Sequence, residues 1–240
     1  MRRKKSSKKS LISNFFIFLL SVVLFTLFVF LFSSYFNITK INIITRSKKN
    51  LIGVELLKNK NCLLITPDQI KKIILERNPQ IEVINIEKEL PNELTIYYEL
   101  LQPFVEIKAN NGYLVLSRKG KIIQKNKKES KEKLPKIQYY QQFDYLSFNI
   151  GDVIDTKDIQ YSLSFASKIK DSELSFTSID IASPNMIRLS LDDSVVYLTT
   201  EKDINTQNNQ LLKIIEQFKI EGKKFKILDL RFDKPVIKLN

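Results

Sequence analysis

Histidine is absent from the 240 residues, and cysteine occurs once, at Cys62. Without histidine there is no Ser-His-Asp triad and no histidine-containing zinc site, and one thiol makes no thiolate cluster. A single cysteine also excludes an internal disulfide, so the folded part must stand on packing alone. Cys62 sits in Asn61-Cys62-Leu63-Leu64-Ile65, an apolar setting that reads as a buried thiol rather than a reactive one. Glycine is scarce: Gly53, Gly112, Gly120, Gly151 and Gly222 are scattered, so no glycine-rich loop cradles a phosphate. Acids are not scarce, and 26 of them always offer pairs for acid–base work, but no spacing singles one out. No catalytic residue, cofactor site or metal site is assigned.

Charge is missing from one long stretch. Residues 11–36 run 26 positions without a single charged side chain. About 20 apolar residues suffice for a helix to cross a ~30 Å hydrocarbon core, so this stretch is long enough to span with tilt. Two other readings compete with it. A buried core helix rarely runs so long without a polar face. A cleaved signal peptide has a shorter apolar region and then a small-x-small site, whereas bulky Tyr35 and Phe36 follow Ser33 and Ser34 here. The expectation is an uncleaved anchor. Arg2, Arg3, Lys4, Lys5, Lys8 and Lys9 precede it, while the ten residues after Phe36 carry only Lys40 and Arg46. The positive-inside bias then keeps residues 1–10 as a cytoplasmic tail and exports residues 37–240. Anionic lipids of the inner leaflet account for the basic head without nucleic acid. Of the net charge of +13, +7 remains after the head is removed. A basic exported surface favours anionic lipid or wall polymer, and a lysine-rich solvated surface explains it equally.

Beyond the anchor the pattern is α+β. Ile38, Ile41, Ile43 and Ile44 read as a strand, and Leu51, Val54 and Leu57 as one side of a short helix. Thr66 is an N-cap, Pro67 takes the first helical position, Asp68 lies in the first turn, and Asn78-Pro79 ends the helix. Strands at 81–87 and 94–99 follow, the second with Leu94, Ile96 and Tyr98 alternating. This order buries its apolar side as a small sheet with two helices on one face. Residues 113–116 and 121–123 flank Arg118-Lys119-Gly120 as a hairpin, and 125–133 is a charge-dense loop. Asp155 or Thr156 caps a helix with a stripe of Ile159, Leu163, Ala166 and Ile169. Strands follow at Ile179 and Ile181, at 187–191 and at 195–198. A helix over about 206–220, with Leu211, Ile214, Ile215 and Phe218 on its core face, ends at Gly222. A last strand contains 226–232 and then Pro235-Val236-Ile237-Lys238.

Two motifs carry a resemblance. Pro79-x-Ile81, then Ile86-x-Lys88-x-x-Pro91-x-x-Leu94-x-Ile96-x-x-Glu99 with Pro103 after it, resembles the end of a POTRA domain of the FtsQ/DivIB family of bacterial cell-division proteins. Lys88 and Leu100 stand where that family commonly has arginine. Ile227-x-Asp229-Leu230-Arg231-Phe232, closely followed by Pro235-Val236-x-Lys238, is similar to the family's terminal motif.

The resemblance implies a single transmembrane helix over 11–36, a POTRA domain (β-α-α-β-β) over 37–103, and a second mixed α/β domain over 104–240 with an antiparallel-rich sheet. It also implies a single-pass protein of the bacterial inner membrane, concentrated at the division septum. Such a protein is a non-enzymatic scaffold, without cofactor, that helps control septal peptidoglycan synthesis. Its partners would be small coiled-coil proteins of the FtsB/DivIC and FtsL type, with no nucleic acid. A partner segment would add as a strand along 230–237, with Leu230, Arg231, Phe232, Pro235, Val236 and Ile237 as the partner-binding residues. Phe232 would be the first anchor and Arg231 the second. Pro235 has no N–H to give a ladder, so the added strand must leave that position unpaired. Lys40, Arg46, Lys48 and Lys49 would lie near the outer leaflet. Two other classes stand beside this one: a membrane-anchored wall enzyme using paired carboxylates, and a POTRA-bearing transport or assembly component.

Overall fold

The computed structural model describes residues 7–46, 49–131 and 133–239; Arg2, Arg3, Lys4, Lys5 and Lys48 lie outside the described residues. The described residues form a mixed α/β structure: one apolar N-terminal helix and two sheets, in two units, residues 1–100 and 101–240.

Helix α1 (Ser7–Tyr35) contains the uncharged run. Its segment Phe15–Tyr35 has 21 residues, about 31 Å at 1.5 Å per residue, and nothing packs over its most apolar window. A helix apolar on all sides and bare of protein is suited to lipid, not to a core. Its hydroxyls turn back on the backbone: Ser21 Oγ donates to the Phe18 carbonyl at 2.7 Å and Thr26 Oγ1 to that of Val23 at 2.9 Å. That satisfies them without water.

In the rest of the first unit, strand β1 (Lys40–Ile44) is followed by a 3-10 turn at Val54–Leu57 and helix α2 (Pro67–Arg77). Strands β2 (Ile81–Glu89) and β3 (Glu93–Leu100) complete it. The sheet order is β1-β3-β2, with β1 parallel and β2 antiparallel to β3. The expected first helix is thus a single 3-10 turn, though Leu51 and Leu57 are buried as the spacing required. Helix α2 starts on a reciprocal pair: Thr66 Oγ1 accepts from the Gln69 N–H, and Gln69 Oε1 from the Thr66 N–H. Ile70 and Ile74 on α2 pack with Leu94, Ile96 and Tyr98 and with a fully buried Cys62.

The second unit is built on one nine-stranded sheet. Its strands are β4 (Val105–Ala109), β5 (Gly112–Leu116), β6 (Ile122–Asn126) and β7 (Lys136–Tyr139), then β8 (Phe176–Ser183), β9 (Met186–Leu191) and β10 (Val195–Leu198). Strands β11 (Phe225–Asp229) and β12 (Val236–Leu239) end it. Helix α3 (Lys157–Asp171) precedes β8, and helix α4 (Ile204–Glu221) connects β10 to β11. Their order across the sheet is β12-β11-β10-β9-β8-β7-β4-β5-β6. The stripe Ile159, Leu163, Ala166 and Ile169 of α3, with Leu211 and Ile215 of α4, covers the apolar side of the sheet. Gly120, at φ +74°, makes the turn before β6.

Two segments differ from the expectation. The 125–133 segment is not all loop: Lys125 and Asn126 finish β6, Lys125 and Lys127 each place Nζ 4.4 Å from the Tyr145 ring, and Ser130 bonds the buried Glu106. The last strand is also not continuous. It breaks after Asp229 and returns antiparallel as β12. A sharp turn across 230–235 holds Leu230, Arg231, Phe232 and Pro235, four of the six residues expected on one extended edge.

Candidate functional site

The candidate site is the edge made by β11, the 230–235 turn and β12. Helix α4 ends at Gly222, whose φ of +63° lets the chain leave the last turn and enter β11 beside β10. Strand β10, helix α4 and β11 form a parallel crossover, and β12 then folds back on β11 as the outermost strand.

Register sorts the side chains. Leu189, Val196, Leu228 and Ile237 lie in one row on the helix-covered face. The first three are fully buried, while Ile237, at the end of the row, is 38% exposed. Arg188, Tyr197, Asp229 and Val236 share a row on the opposite face. Strand β12 therefore extends both faces of the sheet and leaves its far side unpaired among the described residues.

The turn is fixed by charge. Asp229 is nearly buried, and Arg231 meets it through Nε at 2.9 Å and Nη2 at 2.6 Å, with its own N–H on Oδ1 at 3.1 Å. Burial pushes the Asp229 carboxyl up, but these bonds to Arg231 outweigh it and leave the group below its ordinary value. The same pairing raises the Arg231 guanidinium. That guanidinium lies 4.9 Å from the Tyr197 ring centre and 5.8 Å from that of Phe232, with Nη1 3.5 Å from Met186 Sδ. Lys202, just before α4, donates to the carbonyls of Leu230 and Phe232 and reaches Asp233 at 3.7 Å. Leu230 donates its N–H to the Tyr197 carbonyl at 2.9 Å and sends its side chain into the core.

The six residues named from sequence are therefore divided. Leu230 belongs to the core and Arg231 to the brace under the turn. Phe232 (57% exposed), Val236 and Ile237 line the open edge, joined by Leu239. Pro235 precedes the first rung of β12, so its missing N–H removes nothing from the ladder. Sequence reasoning missed Lys202, Tyr197, Met186 and Leu239. Only Leu239 carried a signal, as the next apolar residue two places beyond Ile237.

Elsewhere among the described residues, no group of three or more acidic, histidine or cysteine side chains could hold a metal ion. The three buried acids have structural bonds: Glu106 with Ser130, Asp158 with Tyr139 and Asp229 with Arg231. Burial pushes the Tyr139 phenol well up. A cleft of about 490 Å³ beside β6 is lined by Lys125, Lys127, Lys128 and Lys131.

No family model matches the chain. Curated relatives do. The chain is 27% identical over 241 residues to the cell division protein DivIB of Clostridium botulinum strain Hall, covering 96% of this chain and 91% of that one. The DivIB of C. botulinum strain Loch Maree gives the same identity and coverage. The DivIB of Clostridium acetobutylicum is 26% identical over 200 residues, 79% of this chain and 78% of the relative.

Proposed function

The chain belongs to the FtsQ/DivIB cell-division family, and from that premise we propose that it is a non-catalytic scaffold of the division machinery, tethered by α1 and working through the β12 edge. In this reading residues 1–10 stay in the cytoplasm, and residues 37–103 are a POTRA domain. Residues 104–240 form the docking domain on the far side of the membrane, at the septum. A segment of a small coiled-coil division protein, of the FtsB/DivIC or FtsL type, adds as a strand outside β12. Backbone groups of β12 supply its main-chain bonds, and side chains supply selectivity.

One observation carries this proposal. The outermost strand β12 exposes Val236, Ile237 and Leu239 beside the exposed Phe232 of the turn, and on the helix-covered face Ile237 ends an apolar row with no strand beyond it among the described residues. Natural proteins blunt such edges with charge or cover, and here only Lys238 stands among them. A strand laid beside β12 would continue the row of Leu228 and Ile237 on one face. On the other it would cover Val236. The structural bonds of the three buried acids support a binding role over paired-carboxylate catalysis. The lysine-lined cleft beside β6 is the surface best suited to anionic wall polymer or lipid.

The test is capture of candidate coiled-coil partners by the full chain in detergent, comparing Phe232→Ala with a chain cut after Lys234. Phe232→Ala is expected to weaken capture by about 2 kcal/mol, as a central aromatic anchor does. Loss of β12 should abolish it. Unchanged capture by both, with thermal unfolding showing them folded, rules out docking at this edge.

A further inference from the structure

The first unit carries a second exposed apolar feature, and the span itself locates it. The segment from Lys58 to Ile65 is stitched to the outer end of α1. Asn61 Nδ2 donates to the Ser33 carbonyl at 2.9 Å and to Ser33 Oγ at 3.2 Å, and the Cys62 N–H reaches the Phe36 carbonyl at 2.7 Å. Ile38 donates to the Lys60 carbonyl at 2.9 Å. Behind the tip, Lys88 Nζ holds the carbonyls of Cys62 at 2.8 Å and Ile65 at 3.0 Å. Between those two pinned carbonyls, Leu63 and Leu64 point outward on a turn that Asn61 Oδ1 fixes through their own N–H groups.

Leu64 is 78% exposed and Leu63 45%. Adjacent leucines on a braced tip, with Cys62 and Ile65 buried on either side, are not the result of a loose loop. Leu90 is also exposed, and the turn that carries it ends at Asn92, whose carbonyl accepts from Thr39 and Lys40 at the start of β1. Three exposed leucines thus lie on segments bonded to the first residues after the span. Lys60 and Lys72 border a shallow groove of about 550 Å³ with Leu64, Ile65 and Ile73.

We propose that the Leu63-Leu64 tip is seated in the outer leaflet, leucines among the upper acyl chains and Lys60 and Lys72 toward headgroup phosphates. The proposal rests on α1 being a membrane span, because bonds to Ser33 and Phe36 then fix the tip at the height of the interface. Burying two leucines in hydrocarbon is favourable, and lysine stems let their ammonium groups stay in the polar layer. The tip would act as a second foot beside the helix and restrict how the first unit swings on its anchor.

The chain has no tryptophan, so a single one reports cleanly. Full-length Leu64→Trp would be reconstituted in bilayers whose acyl chains carry bromine. Val83→Trp serves as the comparison, because Val83 is half exposed and pairs with Glu99, six residues along β3 from Glu93. The expected result is strong bromine quenching and a blue-shifted emission for position 64, with neither at position 83. Adding Lys60→Glu and Lys72→Glu should reduce quenching at position 64 in phosphatidylglycerol bilayers. Quenching at 64 no greater than at 83, or ready quenching by aqueous iodide, overturns the proposal. Flotation of the same samples tests the anchor separately, since a chain that leaves the bilayer altogether refutes the span itself.

Discussion

Asp229 shows how much one side chain decides at this edge. Its carboxylate is held below its ordinary value mainly by Arg231, against the opposing pull of burial. A carboxyl lowered by folding contributes stability above the unfolded value, about 3.9, and that contribution is lost as pH falls through the folded value. Asp229→Asn should therefore be less stable than the natural protein at neutral pH, with the gap closing as the solution is acidified below pH ~4. Thermal unfolding across that range measures it. Arg231→Ala leaves the nearly buried carboxylate without its main partner and should cost about 1–3 kcal/mol in chemical denaturation. The motif itself was legible in the chain, but its division of labour was not. Leu230 points into the core because its N–H is drawn to Tyr197, a contact between residues 33 positions apart. No local pattern announces such a pairing.

Elements with local causes were read well. Thr66, Pro67 and Asn78 mark both ends of α2, and Gly120 marks the turn into β6. Those residues act through their own backbone, so sequence suffices. At Gly120, φ is +74°, and an added Cβ would stand 2.5 Å from Gln160 Nε2 and 3.0 Å from the Ile154 carbonyl oxygen. Gly120→Ala should cost at least about 1–2 kcal/mol, the usual penalty for a left-handed residue, read as a lower denaturation midpoint with unchanged slope. The hairpin of β11 and β12 was harder. Residues 226–238 look like one strand with a proline in it, because the alternation of apolar residues survives on both sides of the turn. What breaks the strand is the brace of Arg231 and Lys202, and Lys202 comes from before the preceding helix.

At the scale of the molecule, the helix, the small sheet and the antiparallel pairs followed from pattern. The order of the nine strands did not, since β7 joins β4 and β8 in parallel and α4 carries β10 to a parallel β11. Those neighbours are chosen by long-range burial. If α1 spans the membrane with the basic head inside, protease added to intact spheroplasts should remove a tag fused after Asn240, and a tag before Met1 should survive. Immunoblotting both ends reads the result, and protection of the carboxyl-terminal tag would reverse the orientation.

The pairing of β1 with β3 has a mechanical consequence. The chain comes off α1 into the start of β1 and leaves this unit at the end of β3, which runs in the same direction. If α1 is a membrane span, tension between it and the second unit would slide the two strands past each other along their length. Their shared rungs, from Lys40 opposite Glu93 to Ile44 opposite Tyr97, would then carry the load together instead of opening one by one. A pair loaded in this way resists a pull along its axis without being unzipped.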